Sequence, residues 1–250
     1  MAKTYIILVA IAAVVLGVYF ALPERHFVDS VFPLHDGASV FEYDDKADGG
    51  SSDVTFALTD SSLSFSCELG GADTAKSAWC GLLFDLSQGE KAEYRNWTFV
   101  DSLIFELESS GTDEILVKVW TFDPDVTDVT KPRTFRLLMK EIPLTKGRQR
   151  IAFPFEQFYT PDFWFDDEHV DRSLNRRHQE TVARVEIAPG WNHPRNQKFS
   201  LKFYAITAKG VSNFAFGAVM FIMLGLMIVA IGRTHSYNKE NESKKAEPHS

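Results

Sequence analysis

Two uninterrupted apolar stretches lie near the two ends of this chain of 250 residues. Tyr5–Leu22 contains no charged residue and follows Lys3 closely. Val211–Gly232 is also uncharged, and Lys209 and Arg233 flank it. Roughly 20 apolar helical residues are enough to cross the hydrocarbon core of a bilayer, which is about 30 Å thick. Both stretches are therefore predicted to be membrane-spanning helices.

The first apolar stretch also fits a cleaved signal peptide, because a short basic start precedes it. However, it is longer than the usual apolar region of a signal, and Ala21–Arg25 offers no clear small-x-small cleavage site. A retained anchor is the preferred interpretation. The basic residues of the tail favour the cytoplasmic side. We expect a double-pass protein of the cell membrane, with residues 1–4 and a disordered tail at 233–250 in the cytoplasm and residues 27–208 outside it.

Between the two spans, apolar and polar residues alternate with a period of two, and β-branched and aromatic residues are frequent. This pattern predicts β-strands. The predicted strands are Ser39–Tyr43, Val54–Thr59, Ser62–Glu68, Trp79–Leu86, Ser102–Glu108, Glu114–Phe122, Thr134–Glu141, Gln149–Phe155, Thr181–Ala188 and Phe199–Thr207. Turn sequences such as Gly70-Gly71 and Lys146-Gly147 separate them. Because each strand has one apolar face, the pattern favours a β-sandwich.

The long connection Gln157–His178 begins with aromatic residues and continues with charged ones. The aromatic residues are Phe158, Tyr159, Phe163, Trp164 and Phe165. We expect them to plug one end of the sandwich, with an exposed partner site or a platform on the membrane surface as alternatives. The charged part is expected to be a solvated loop. The only two cysteines, Cys67 and Cys80, either form a disulfide or remain as two buried thiols, and the sequence leaves both possibilities open.

Several short motifs follow one another in a recognisable order. They are Trp79-Cys80-Gly81-Leu82-Leu83-Phe84-Asp85-Leu86-Ser87, then Asn96-Trp97, then Gln149-Arg150-Ile151-Ala152-Phe153-Pro154-Phe155-Glu156-Gln157-Phe158, and finally Phe199-Ser200-Leu201-Lys202-Phe203-Tyr204-Ala205-Ile206. This order resembles the galactose-binding-like jelly roll, a group that includes several carbohydrate-binding modules and the complex I intermediate-associated protein 30 family. The resemblance covers roughly Ser39 to Thr207. It implies a jelly-roll β-sandwich and a carbohydrate-like ligand.

Many proteins of that group carry in their final strand an Asp that is associated with a structural calcium ion. This chain has Tyr204-Ala205-Ile206 there instead. Calcium is therefore not indicated, although Asp44, Asp45, Asp48 and Asp53 cluster early in the domain and carboxylate oxygens are suitable ligands. We expect no cofactor.

A candidate ligand face follows if the strands near 115–122, 134–141 and 181–188 share one sheet. The outward residues of these strands would be Lys118, Trp120, Arg136, Lys140, Arg184 and Glu186. A Trp can stack on a sugar ring while the charged groups donate and accept hydrogen bonds. The ordinary alternative is a solvated sheet face with mixed charges.

The function classes are limited by what the sequence contains. A net charge of −8 makes nucleic-acid binding unfavourable, and no catalytic motif is present. We predict a non-enzymatic, membrane-anchored binding module, with a structural subunit of a larger membrane complex as the alternative. Ala13, Gly17 and Ala21 form a stripe of small residues that could pack on the second span, on a copy of the chain or on a membrane-protein partner.

Overall fold

The computed structural model describes residues 2–22, 25–35, 37–71, 78–87 and 93–246. The helices are α1 (Ala2–Ala21), α2 (Asp162–Asp167) and α3 (Asn213–Ala246). The strands are β1 (His26–Phe32), β2 (Ser39–Asp44), β3 (Asp53–Leu58), β4 (Leu63–Glu68), β5 (Cys80–Asp85), β6 (Val100–Ser110), β7 (Glu114–Thr121), β8 (Arg136–Pro143), β9 (Gly147–Pro154), β10 (Val182–Pro189) and β11 (Lys198–Val211). These elements form two compact units, residues 28–210 and the two flanking segments together.

The unit made of the flanking segments is a pair of apolar helices. Lys3–Ala21 and Asn213–Lys239 are each long and apolar enough to cross a membrane. The hydroxyl oxygens of Tyr5 and Thr234 lie 2.6 Å apart, near the start of α1 and in the second half of α3. Because the beginning of one helix meets the later part of the other, α1 and α3 run antiparallel.

The small-residue stripe of α1 lies outside this helix pair. The side chains of α1 with reduced exposure recur at helical spacing, at Leu8, Ala12, Val15 and Tyr19. Ala13, Gly17 and Ala21 are exposed, and an added Cβ at Gly17 would meet no atom within 4 Å. The stripe therefore does not pack on α3. Packing on a copy of the chain or on a partner stays a prediction.

Residues 28–210 form a jelly-roll sandwich of two sheets. The first sheet has the order β3-β4-β11-β6-β9, and β1 also pairs with β11. The second sheet has the order β2-β5-β10-β7-β8. The core between the sheets is apolar because alternate residues of each strand point inward. Its buried residues include Leu63, Phe65, Leu103, Phe105, Leu107, Leu82, Phe84, Val117, Val119, Val185, Ile187 and Phe203.

All ten predicted strands are present, with boundaries that differ by a few residues. The prediction missed β1, because the apolar residues of His26–Phe32 do not alternate with polar ones and directly follow an apolar span. The connection Gln157–His178 was predicted as a loop but contains the short helix α2. The prediction of a mostly β sandwich with an apolar helix at each end is confirmed.

Cys67 and Cys80 form a disulfide bond that joins the two sheets. Cys67 lies in β4 of the first sheet and Cys80 begins β5 of the second, with their Cα atoms 6.4 Å apart. The sequence had left a disulfide and two free thiols open. In the structure the two residues are paired.

Asp45 of the early acidic cluster is held by protein groups. The buried Asp45 carboxylate accepts hydrogen bonds from the Ser52 amide (2.9 Å) and hydroxyl (2.8 Å) and from the Trp79 amide (3.2 Å). Burial raises the pKa of Asp45, but these hydrogen bonds outweigh burial and hold the pKa below its usual value. Across the described ranges, no group of three or more His, Cys, Asp or Glu residues is placed to hold a metal ion.

Candidate functional site

An open cleft of about 670 Å³ lies on the outer face of the second sheet. Its floor consists of residues from the middle strands of that sheet. Its walls come from α2, from the segment before β5 and from the turn after β10. The lining side chains that matter most below are Tyr43, Trp79, Lys118, Trp120, Arg133, Phe163, Arg184, Glu186 and Trp191.

The strand register places four of the six predicted site residues together. Trp120 lies opposite Arg184, and Lys118 lies opposite Glu186, in the antiparallel pair of β7 and β10. Residues directly opposite each other in such a pair point to the same face. The prediction that β7, β8 and β10 share a sheet is thus confirmed, and these four side chains line the cleft.

The placement of Arg136 and Lys140 on that face is wrong. In the β7–β8 register Arg136 lies opposite Thr121 and Lys140 lies opposite Val117. Thr121 and Val117 are fully buried and alternate with Trp120 and Lys118, so they point to the other face of the sheet. Arg136 and Lys140 therefore point away from the cleft.

Arg136 belongs to a buried ion pair instead. Its Nε donates a hydrogen bond of 2.8 Å to the Asp123 carboxylate, and both side chains are almost completely buried. The guanidinium carbon lies 4.7 Å from the ring centroid of Trp164. Trp164 in turn donates its indole N–H to the Phe135 carbonyl (2.9 Å). The pair thus supports α2 where it crosses the edge strand β8.

The apolar residues of β8 point outward because α2 covers them. Leu137 and Met139 pack with Leu116 and Ala188 beneath Trp164 and Phe165. Trp164 and Phe165 therefore cover the outer face of the second sheet and do not plug the end of the sandwich as expected. Three aromatic residues of the connection, Phe158, Trp164 and Phe165, are buried. Phe163 and Tyr159 keep exposed fractions of 42% and 44% and stay available at the surface.

Glu186 is the electrostatic centre of the cleft floor. Its carboxylate accepts hydrogen bonds from the Lys118 ammonium (2.6 Å), the Trp120 indole (2.8 Å) and the Tyr43 hydroxyl. Burial raises the pKa of Glu186, but the Lys118 charge and the three hydrogen bonds outweigh it and hold the pKa below its usual value. Burial and the adjacent carboxylate raise the pKa of Tyr43 well above its usual value. Glu186 is thus an anion that already has three donors.

Arg184 lies close to the Trp120 ring on the cleft floor. Its guanidinium carbon lies 5.3 Å from the Trp120 ring centroid and 4.7 Å from that of Phe135. It also donates a hydrogen bond to the Pro132 carbonyl (2.7 Å). Burial lowers the pKa of Arg184 and the nearby Glu186 charge raises it, but an arginine remains protonated in either case. Trp120 is therefore held by a hydrogen bond and by a neighbouring cation.

Trp191 is an exposed aromatic residue of the cleft that the sequence interpretation missed. Its exposed fraction is 57%, yet its indole N–H donates to Glu141 (3.1 Å) and its amide donates to Glu114 (3.2 Å). Its ring meets Phe163 edge to face at 6.2 Å. A Pro-Gly turn immediately precedes it, and this sequence signal could have pointed to it.

Trp79 was also missed as a site residue, because the sequence analysis used it only as the start of a predicted strand and of a resemblance motif. It precedes β5 and lines the cleft beside Tyr43, with the two ring centroids 5.7 Å apart. Among the described residues, four indole rings therefore line the cleft, those of Trp79, Trp120, Trp164 and Trp191, and they come from four separate segments. In the part of the chain that the structure describes, three cationic and three carboxylate side chains line it as well, which are Lys118, Arg133, Arg184, Asp167, Glu168 and Glu186.

No family model and no curated protein matches the chain in sequence. Solved structures with a similar fold include the family 11 carbohydrate-binding module of the cellulase Lic26A-Cel5E of Clostridium thermocellum, with 10% identity and a TM-score of 0.48 over 74% of this chain and 95% of that one. The same type of module in complex with a β-1,3-1,4-mixed-linked tetrasaccharide has 11% identity and a TM-score of 0.47 over 74% and 96%. The low-affinity xylan-binding module CBM86 of Roseburia intestinalis has 15% identity and a TM-score of 0.32 over 71% and 98%. At such low identity, the ligands of those modules are not transferred to this chain.

Proposed function

We propose that this protein is a membrane-anchored binding module that holds a neutral carbohydrate in the cleft of its second sheet, outside the cytoplasm and without catalysis. The observation that carries the proposal is the fixed Trp120 ring in an open cleft, between Arg184 and the Glu186 carboxylate. Indole faces pack well against the apolar C–H faces of sugar rings, and nearby polar groups hydrogen-bond to sugar hydroxyls.

The charge balance of the cleft supports a neutral ligand. Among the described lining residues, the three cationic and three carboxylate side chains cancel formally. An anionic or cationic ligand would meet no dominant opposite charge. Glu186 accepts from three donors, so its carboxylate is engaged in organising the floor and is poorly placed to act as a general base.

The proposed location rests on two separate features. Two antiparallel helices with membrane-spanning length and apolarity support a double-pass arrangement with both termini on one side. The Cys67–Cys80 disulfide supports an oxidising compartment for the sandwich, because cytosolic thiols are kept reduced. Together they favour cytoplasmic termini and an extracytoplasmic sandwich.

The test is calorimetric titration of the full chain in detergent against soluble neutral oligosaccharides and against uronic-acid-containing ones. We expect a neutral oligosaccharide to bind. Trp120→Ala should then weaken its affinity about tenfold, equivalent to about 1.4 kcal/mol, because a stacking surface is lost.

Tyr204→Ala is the matched control, because it removes a partly exposed aromatic ring from the other sheet. Tyr204 packs between Arg148 and Lys202, with their charged groups 4.1 Å and 5.4 Å from the ring centroid. Its removal should leave affinity unchanged. Binding to no oligosaccharide of the panel, or equal weakening by the two substitutions, would contradict the proposal.

A further inference from the structure

Phe99 and Val28 are two large apolar side chains that the sandwich leaves exposed. Their exposed fractions are 49% and 61%. Phe99 lies in the turn just before β6, Val28 lies in β1, and neither lines the cleft. Single exposed apolar residues are ordinary on protein surfaces, so exposure alone does not indicate a contact. The position of these two residues beside the connections to the apolar helices is the further evidence.

Phe99 lies beside the point where the chain leaves the sandwich. Val100 pairs with Gly210 in the β6–β11 register. The Phe99 carbonyl oxygen approaches Gly210 so closely that a Cβ added there would lie 1.7 Å from it. Only a glycine at position 210 allows this approach. Asn213, where α3 begins, follows Gly210 by three residues, which span at most about 11 Å when extended.

Val28 lies beside the point where the chain enters the sandwich. It follows the end of α1 at Ala21 closely in sequence, and its strand β1 pairs with β11, the strand that leads into α3. The two chain connections also meet each other, since the Ser212 amide donates a hydrogen bond to the Arg25 carbonyl (2.7 Å). Phe99 and Val28 thus lie beside the two connections that lead to the apolar helices.

We propose that Phe99 and Val28 form a lipid-contacting rim, with both side chains entering the interfacial layer of the bilayer that α1 and α3 cross. The inference rests on the proposed membrane anchoring. Short connections keep both residues within reach of the bilayer surface, where burial of apolar side chains is favourable and aromatic rings are common.

The test uses the full chain in lipid nanodiscs with one introduced cysteine carrying a nitroxide label. The native cysteines are paired, so the introduced thiol is the one that reacts. Compared with a label that points into water, labels at Phe99→Cys and Val28→Cys should collide more often with oxygen, which concentrates in lipid. They should collide less often with a water-soluble nickel complex. Trp191→Cys is the control for a label in water. Trp191 is 57% exposed and comes just before the start of β11, whereas Gly210 lies at the other end of that strand.

Equal ratios of oxygen to nickel collision at positions 99 and 191 would overturn the lipid-contacting rim. Phe99→Trp gives a second measurement without a thiol, since quenching of its added emission by brominated lipid supports the rim and absence of quenching overturns it. Alkaline extraction of vesicles separates the two proposals. A chain released by alkali refutes the anchoring itself, whereas a retained chain with a water-exposed label at position 99 refutes the rim alone.

Discussion

Glu186→Gln tests whether the buried carboxylate organises the cleft floor. The substitution keeps the size of the side chain and removes its charge. Lys118, whose side chain is only 20% exposed, then loses its partner at 2.6 Å. Breaking a buried ion pair by removing one partner costs about 3–5 kcal/mol, because the remaining charge stays desolvated. We expect a loss of unfolding free energy at the lower end of that range at pH 7, since the Lys118 side chain keeps some access to water.

The pH dependence of this loss follows from the pKa of Glu186. Its folded-state pKa lies below the usual value, so the folded state binds the proton less readily than the unfolded chain does. The stabilisation is therefore fully present above the pKa of the unfolded chain, about 4.3, and is lost as the pH falls through the folded-state pKa. The difference in stability between the wild type and Glu186→Gln should shrink as the pH falls below 4.3.

Urea unfolding of the full chain in mild detergent, followed by tryptophan fluorescence at several pH values, measures this difference. Glu106→Gln is the matched control, because Glu106 pairs with Arg150 at 3.3 Å on the surface, with both side chains well exposed. It should cost at most about 1 kcal/mol at any pH. A Glu186→Gln variant as stable as the Glu106→Gln variant, or a difference independent of pH, would refute the reasoning.

Two further substitutions test the structural supports of the sandwich. Replacing Cys67 and Cys80 together by serine should lower the unfolding free energy by about 2–4 kcal/mol, measured as a lower urea midpoint. Chemically reduced wild-type protein should unfold at the same urea midpoint as this variant. A variant as stable as the oxidised wild type would show that the disulfide does not stabilise the fold. Arg136→Met should cost about 3–5 kcal/mol, because Asp123 stays buried without its partner. Because Arg136 packs against Trp164 of α2, which forms a wall of the cleft, the folded Arg136→Met variant should also bind ligand more weakly than the wild type, and unchanged affinity would show that the buried pair does not support that wall.

The strands were predictable because their signal is local. Most of the strands from β2 to β11 have apolar residues mainly on one face, and a period of two can be recognised without knowing the neighbouring strands. β1 carried no such signal, since Phe27, Val28, Val31 and Phe32 occur as adjacent pairs. Its pairing with β11, near the other end of the sequence, defines it as a strand, and no local pattern encodes a pairing across that distance.

Four of the six predicted site residues line the cleft, and two do not. The difference again depends on whether the local sequence pattern shows which face of a strand is buried. Assigning Lys118 and Trp120 to the outer face was correct, because Val117 and Val119, which alternate with them, are the residues that point into the core. For β8 the same rule gave the wrong face. Leu137 and Met139 were assigned to the core, although they point outward and lie beneath Trp164 of α2. A strand that is covered on both sides carries apolar residues on both faces, so its orientation depends on packing that local sequence does not contain.

The three donors gathered on Glu186 have a consequence for how recognition proceeds. Tyr43, Lys118 and Trp120 are fixed when the chain folds, before any ligand arrives. The entropy lost in orienting the indole is therefore part of the free energy of folding and does not reduce the free energy of ligand binding. The proposed carbohydrate therefore meets side chains that are already oriented, and we expect its binding to be closer to lock-and-key docking than to induced fit.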